Sequence, residues 1–392
     1  MSTAAGSDVD LRATVAHLAA LERLPGSPGE REAAEWIAER LRALGARVAV
    51  EDERVHGGYF APIGVPAAAS AVAGLAVLAG ARAAGAVGAA AAALMAEDLQ
   101  GGPRRPLRRR LPQRPTWNVV AELGPADAPR TLVVHAHHDA ARSSFIFEPV
   151  VPRLVYERAR WLHDHLDRWP PLMAGAVAGP ALVALGAALR RRAVTGAGVL
   201  ASTVTAGLMA HMARQPVVPG ANDNLTGVAA LLAAAERLAG RLPDGLRLVL
   251  LSTGAEEANQ DGMLAFARRH FASFDRASTT FLCLDTVGSP ELVLIEGEGF
   301  LKMRDYDAAT KDLVEEAARE AGVHVRRGLR FTFGTDALIP LRHGFRVAGL
   351  GSVNEWLVPT NYHAATDVPE NVRYDSVRDA VEVVVGVARR LS

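Results

Sequence analysis

A chain of 392 residues with 43 basic and 43 acidic side chains can bury one large or two ordinary domains. Its formal net charge of zero excludes an overall field that would recruit nucleic acid or another polyanion. The single cysteine, Cys283, excludes an internal disulfide framework and suits a reducing compartment.

The opening stretch MSTAAGSDVDLRATVAHLAALERLPG holds acidic residues and lacks the basic-then-apolar order of a secretory signal, so no signal peptide is expected. A first helix is predicted over about residues 8–23, ending at RLPGSPGE. A second opens with Ser27 as N-cap, Pro28 at the first helical position and Glu30 closing a capping box. Its apolar positions Ala33, Ile37, Leu41 and Leu44 follow helical spacing, and Gly45 ends it. ARVAVED then reads as a strand.

The next segment, 57–115, breaks this pattern. APIGVPAAASAVAGLAVLAGARAAGAVGAAAAALM is interrupted only by Arg82 and is followed by the basic run PRRPLRRRLPQR. After the strands WNVVAEL and TLVVHAH comes a second irregular segment, 145–215. It begins with VPRLVYERARWLHDHLDRW, a candidate amphipathic helix that sets Trp161 and Trp169 at interface-like positions. It continues with PPLMAGAVAGPALVALGAAL, the triplet Arg190 to Arg192, and AVTGAGVLASTVTAGLMAHMA. Each apolar segment is expected to form a hairpin of two helices, with several arms near the 17–25 residues of a bilayer span. A soluble helix should show a polar face, and these show almost none. Two insertions associated with a membrane are therefore expected, the Arg-rich flank placing the catalytic part on the cytoplasmic side. The alternative is a soluble cytoplasmic protein whose Ala/Gly-rich helices form a cap, since Ala and Gly drive insertion weakly.

From residue 216 the rhythm is strand and helix: LTGVAALLAAAERLAGRL, LRLVLLST, GMLAFARRHFA, TFLCLDTV, LVLIEG, AATKDLVEEAAREAG, RVAGLGS and SVRDAVEVVVGVARRL. Such alternation predicts an α/β domain with a mixed, mainly parallel central sheet.

Five short motifs sit at strand ends or loops: HAHHD with His137 and Asp139, ANDN with Asp223, GAEEAN with Glu256 and Glu257, CLDTVG with Asp285, and NYHAATD with His363. Each alone has an ordinary reading as a turn, a helix cap or a solvated loop. Together they set His, Asp, Glu-Glu, Asp and His after apolar runs, where open α/β sheets bind ligands. Imidazole mixed with carboxylate suits hard and borderline divalent ions, and no thiolate cluster competes.

These residues resemble the two-zinc aminopeptidase family typified by aminopeptidases S and Y, whose divergent relatives include glutamate carboxypeptidase and glutaminyl cyclase. His137-His138-Asp139, Asp223-Asn224, Glu256-Glu257, Asp285 and Tyr362-His363 follow its pattern, and RLPGSPGEREAAEWIAERLRALG and YHAATDVPENV are similar to its opening and closing stretches. The resemblance implies a three-layer zinc-exopeptidase fold, phosphorylase/hydrolase-like, with one catalytic domain over 8–390 carrying the insertions 57–115 and 145–215. It implies two Zn²⁺ per chain: Asp223 bridging, His137 and Asp285 completing one site, Glu257 and His363 the other. Asp139 would orient His137 and Glu256 would be the general base. The second insertion separates His137 from Asp223 far more than the family's usual connection does. His135 and His138 are extra imidazoles without an assigned role, and Asp336 is expected to be structural or pocket-lining.

The expected function is a zinc-dependent aminopeptidase acting on peptide substrates, with no nucleic-acid partner and the oligomeric state left open. Alternatives are a glutaminyl cyclase-like acyltransferase and a catalytically inactive, membrane-associated binding protein on the same fold. A related metallopeptidase family with an extra dimerisation domain is disfavoured, because only about 78 residues separate Asp285 from His363.

Overall fold

A computed structural model describes residues 4–102 and 104–391. Among the described residues ten strands form: β1 (Arg47–Val55), β2 (Arg114–Leu123), β3 (Arg130–His137), β4 (Leu246–Thr253), β5 (Thr279–Leu284), β6 (Glu291–Leu294), β7 (Gly297–Glu298), β8 (Arg304–Asp305), β9 (Arg330–Phe331) and β10 (Arg346–Val353). Seven build one sheet in the order β1-β2-β4-β3-β5-β10-β6, while β8-β7-β9 make a small second one. The central strands β4, β3, β5 and β10 are parallel, and both edges are closed by antiparallel pairs. The mixed, mainly parallel α/β sheet expected from the sequence is therefore present.

The helices are α1 (Ala4–Ala19), α2 (Pro28–Ala43), α3 (Phe60–Leu78), α4 (Gly85–Leu99), α5 (Val150–Arg158), α6 (Arg160–His163), α7 (Ala174–Leu189), α8 (Arg192–Met212), α9 (Thr226–Leu238), α10 (Asp261–His270), α11 (Ala308–Glu320), α12 (Leu338–Arg342) and α13 (Tyr374–Arg390). The pleat divides the central strands between two cores. Leu132, Val134, Leu248 and Leu250 face the layer of α1, α2, α9, α11 and α13. Val133, Val249, Leu251 and Phe281 face α10 and α12 on the other side. Because both faces are covered, the strands read as unbroken apolar runs.

The start of α2 differs from the predicted capping box. The Ser27 hydroxyl accepts the Glu30 N–H at 3.1 Å, as expected of an N-cap. The Glu30 carboxylate does not return to Ser27; it accepts from Gly26 N–H at 2.7 Å, from the Thr116 hydroxyl at 2.6 Å and from Ala255 N–H at 2.9 Å. A residue read as a local cap thus pins α2 to β2 and to the turn that follows β4.

The insertions also differ from expectation. Their hairpins, α3–α4 and α7–α8, are not separate: α3 packs on α8 and α4 on α7 in one four-helix bundle. The two tips are joined, Arg192 donating to the Leu78 carbonyl at 2.7 Å and Arg82 to that of Ala187 at 3.4 Å. Helix axes come close because glycines face them. A Cβ on Gly198 would stand 2.5 Å from the Val183 nitrogen, and one on Gly74 would stand 2.4 Å from a Val199 methyl. Buried between the helices are Ser70, Thr195, Ser202 and Thr205, while Val72 and Leu200 are 68% and 67% exposed on the outside. The predicted amphipathic segment forms α5 and α6, with a break at Ala159.

The basic run after α4 is partly internal rather than a free flank. Buried Arg108 forks onto Asp98 at 2.5 and 3.0 Å and reaches Asp261 at 2.9 Å. Arg105 holds the other Asp261 oxygen at 2.7 Å, and Asn259 donates to Asp98 at 3.2 Å. Charges this deeply buried are tolerated only when paired and hydrogen-bonded, and here each carboxylate meets more than one donor.

Phe281 is fully buried in β5 among the rings of Phe271, Phe274 and Phe345 at 5.5, 6.2 and 5.1 Å. Phe281→Ala should lower stability by about 3–5 kcal/mol, read from the urea midpoint by circular dichroism.

Candidate metal centre

The parallel strands deliver their carboxyl ends to one edge of the sheet, and the chemistry-bearing residues collect there. His137 is the last residue of β3, and Asp139 follows it by two. Glu256 and Glu257 lie in the turn after β4, and Asp285 directly follows β5. Asp223 sits in the kinked turn Ala221–Leu225 that opens α9. His363 lies in the loop after β10 and is buried, although a polar loop alone would suggest exposure.

The side chains converge in three overlapping groups: His137, Asp223 and Asp285; His137, Glu256 and Glu257; and Asp223, Glu257 and His363. His137 Nε2 is 3.3 Å from Asp223 Oδ1, and His363 Nε2 is 3.2 Å from both Asp223 Oδ2 and Glu257 Oε2. Neither His363 Nε2 nor Asp223 Oδ2 has a hydrogen-bond partner despite this approach. Donor atoms held about 2.0–2.2 Å from one zinc ion stand roughly 3.3–3.6 Å apart at the corners of a tetrahedron. The spacings here match that, and the orphaned buried atoms point at a common centre instead of at each other. The donor set thus fits zinc, with Asp223 presenting one oxygen to each side.

Electrostatics agree. Burial raises Glu256, Glu257 and Asp285, and their mutual repulsion adds to it against the pull of the imidazoles; Asp285 is pushed up to about 7. Burial would lower His137 and His363, but the surrounding carboxylates overcome it and raise both, His363 to about 10. Burial likewise works against ionised Asp223, yet its two histidines hold it well below the usual carboxylate range. So much buried carboxylate in one place favours cations.

A second set of residues fixes these ligands. The Asp139 carboxylate stands 3.4 Å from His137 Nδ1 and accepts the backbone N–H groups of Glu256 and Glu257, both at 3.0 Å. Asn224 donates to the Leu284 carbonyl at 2.8 Å and accepts from Gly227 and Thr286 at 3.2 and 3.0 Å, tying the Asp223 turn to the end of β5. Asp367 accepts from the N–H groups of Asn222 and Asp223 at 2.7 and 3.1 Å. Asp367 and Glu30 were not singled out for this task from the sequence; the only available signal was an acidic residue inside a recognisable closing or opening stretch.

The extra histidines stand apart from the donor groups. His135 lies edge-on to Phe281 at 6.1 Å, and His138 Nδ1 meets the Ser252 hydroxyl at 2.9 Å. Burial lowers each to about 3. Asp336 is structural: it is buried and bonds the Thr253 hydroxyl at the end of β4.

Beside Glu256, Glu257 and His363 opens a cavity of about 1440 Å³. Phe147, from the second insertion, stands edge-on to His363 at 4.5 Å and to Tyr362 at 5.5 Å. Phe333 stacks on Tyr362 at 5.7 Å.

Residues 201–388 match peptidase family M28. The chain carries a peptidase family M28 domain. That match contains Asp223, Glu256, Glu257, Asp285 and His363, while His137 and Asp139 precede it. No curated protein matches the chain. Among solved structures it is similar to a Zn-dependent exopeptidase from Parabacteroides distasonis, at 13% identity and TM-score 0.57, covering 97% of both chains. A leucine aminopeptidase precursor from Bacteroides thetaiotaomicron is similar at 14% and TM-score 0.57, over 97% of this chain and 96% of that one. A glutaminyl cyclase from the same organism, bound to N-acetylhistamine, gives the same identity, TM-score and coverage. The M28 domain therefore lies on the zinc-exopeptidase fold that these structures share.

Asn224→Ala would leave three buried backbone groups around the M28 site without partners. It should cost at least about 3 kcal/mol in a urea titration, well beyond the loss for a surface amide.

Proposed function

We propose that this M28 protein is a two-zinc aminopeptidase that removes N-terminal residues from peptides. The observation that carries the reading is the pair of donor groups meeting at Asp223, His137 and Asp285 to one side and Glu257 and His363 to the other. Asp223 would bridge, and Asp139 would hold His137 in the orientation that turns Nε2 inward. Bound zinc supplies Lewis-acid polarisation of the scissile carbonyl and makes a water more acidic.

Glu256 is the residue left to move the proton. Its Oε2 is 3.9 Å from His137 Nε2, and its Oε1 is 3.5 Å from the Gln260 amide; it shares a donor group with His137 and Glu257 but belongs to neither group that contains Asp223. Burial and acidic neighbours raise its proton affinity, as suits a base that must take a proton and release it. It would accept the proton of the water attacking the carbonyl carbon and deliver it to the amide nitrogen as the C–N bond breaks. The adjacent glutamates divide the work: Glu257 binds and Glu256 carries the proton.

A second reading, cyclisation of an N-terminal glutamine, is supported by the equal fold similarity to the glutaminyl cyclase. A peptide beginning with glutamine separates the two: free glutamine indicates hydrolysis, and a pyroglutamyl peptide indicates cyclisation.

The bundle is proposed to lie in a bilayer with the catalytic domain on the cytoplasmic side. Phe60–Leu78 and Arg192–Met212 are long and apolar enough to cross a membrane. The bundle exposes Val and Leu on its outside, while Gly, Ser and Thr pack between its helices beside Ile63, Val77 and Val183; an apolar outside over close small-residue contacts is the packing favoured in lipid. Arg104, Arg109, Arg110 and Arg114 flank it on the catalytic side. Buried Arg105 and Arg108 are engaged by Asp98 and Asp261.

Elemental analysis should find close to two zinc ions per chain in both wild type and Glu256→Gln, while aminoacyl-anilide hydrolysis falls by about 10²–10⁴ in the variant. Little zinc and no hydrolysis in wild type would sink the reading. In fractionated cells the protein should sediment with membranes, resist alkaline carbonate and be released by detergent; recovery in the detergent-free supernatant would remove the membrane proposal.

A further inference from the structure

The catalytic cavity and the apolar bundle share a boundary. Tyr59 precedes α3, Met173 precedes α7, and His211 and Gln215 lie at and just beyond the end of α8; all four line the cavity that also holds Glu256 and His363. At 19 and 21 residues, α3 and α8 are about 28–32 Å long, the thickness of the hydrocarbon layer. Lipid covering their outer Val and Leu side chains must therefore end near these residues, at the level of the cavity.

The cavity mouth is itself apolar. Phe145, Val150, Val151 and Leu172 line it and are exposed. Beyond it, Leu154, Trp161 and Leu162 are exposed, Trp161 at 73%, with Arg153 before them and Arg158 and Arg160 between. Water gives such a surface no partner, whereas Trp, Leu and Arg on one short amphipathic segment suit the boundary between headgroups and acyl chains.

We propose that the cavity opens onto the bilayer surface, and that its substrates are amphiphilic peptides whose apolar segment rests in the membrane while the free N-terminus enters the site. The α5–α6 segment is the lip over which they pass. This rests on the aminopeptidase reading and names its substrate class.

The test uses the full chain in phosphatidylcholine vesicles and one pentapeptide, either free or carrying a palmitoyl group on a C-terminal lysine. The anchored peptide should show an apparent kcat/KM at least about tenfold higher, since sharing a surface raises effective concentration. Surface concentration alone would persist without the lip, so the deciding variant is Leu154→Ser with Trp161→Ser, neither of which lines the cavity. It should lose at least fivefold on the anchored peptide and nothing on the free one. Equal rates for the two peptides in wild type, or an unaltered anchored rate in the variant, would overturn the proposal. Hydrolysis of neither peptide would instead overturn the aminopeptidase reading and the substrate class with it. A readout without turnover tests the lip itself: brominated lipid should quench the fluorescence that Trp161→Phe removes. Absence of quenching, including through burial of Trp161 against a second copy, overturns the placement.

Discussion

Everything at the metal centre depends on one buried carboxylate, Asp139. It is fully enclosed, faces the inner nitrogen of His137, and accepts the backbone N–H groups of both Glu256 and Glu257. Those contacts join the end of β3 to the turn after β4, so the imidazole and the paired glutamates cannot drift independently. A carboxylate gripped by two N–H bonds makes that joint rigid. Glu30 continues the linkage by holding Ala255 next to that turn.

Much of this was legible in the sequence. Strands buried on both faces appear as short continuous apolar runs, and β2 to β6 and β10 fall on them. The ligand candidates were legible because each follows such a run, and the topology of parallel strands carries their ends to one edge. The supporting bonds were not. Asp367 and Asn224 act on backbone groups, and nothing in local composition says which distant N–H a carboxylate will meet. Glu30 fitted a capping box by spacing alone, yet the neighbouring Gly26 and two distant donors, Thr116 and Ala255, outcompeted the Ser27 N–H.

The insertions show the same boundary between local and long-range information. Each hairpin was visible as an apolar stretch, but their union required knowing that α3 meets α8 and α4 meets α7, partners separated by the whole of β2 and β3. Gly74, which faces Val199, and Gly88, which faces the Pro180 carbonyl, are the mark of those contacts in the sequence, and among so many Ala and Gly residues they do not stand out. The basic run after α4 suggested an exposed flank because composition cannot distinguish an arginine in solvent from one that two buried carboxylates hold.

That ion-pair cluster bears on how far the protein is modular. Asp98, Arg105 and Arg108 come from the first insertion, whereas Asn259 and Asp261 lie shortly after Glu256 and Glu257. Excising the insertion at its apparent ends would strand Asp261 without either guanidinium, at the first residue of α10 and four positions after Glu257. A water-soluble catalytic core would have to be cut higher, through the bundle helices themselves, keeping the stub from Asp98 onward. The insertion is thus grafted into its host, and whatever remodelled the helices in lipid would be felt by the acidic turn beneath them.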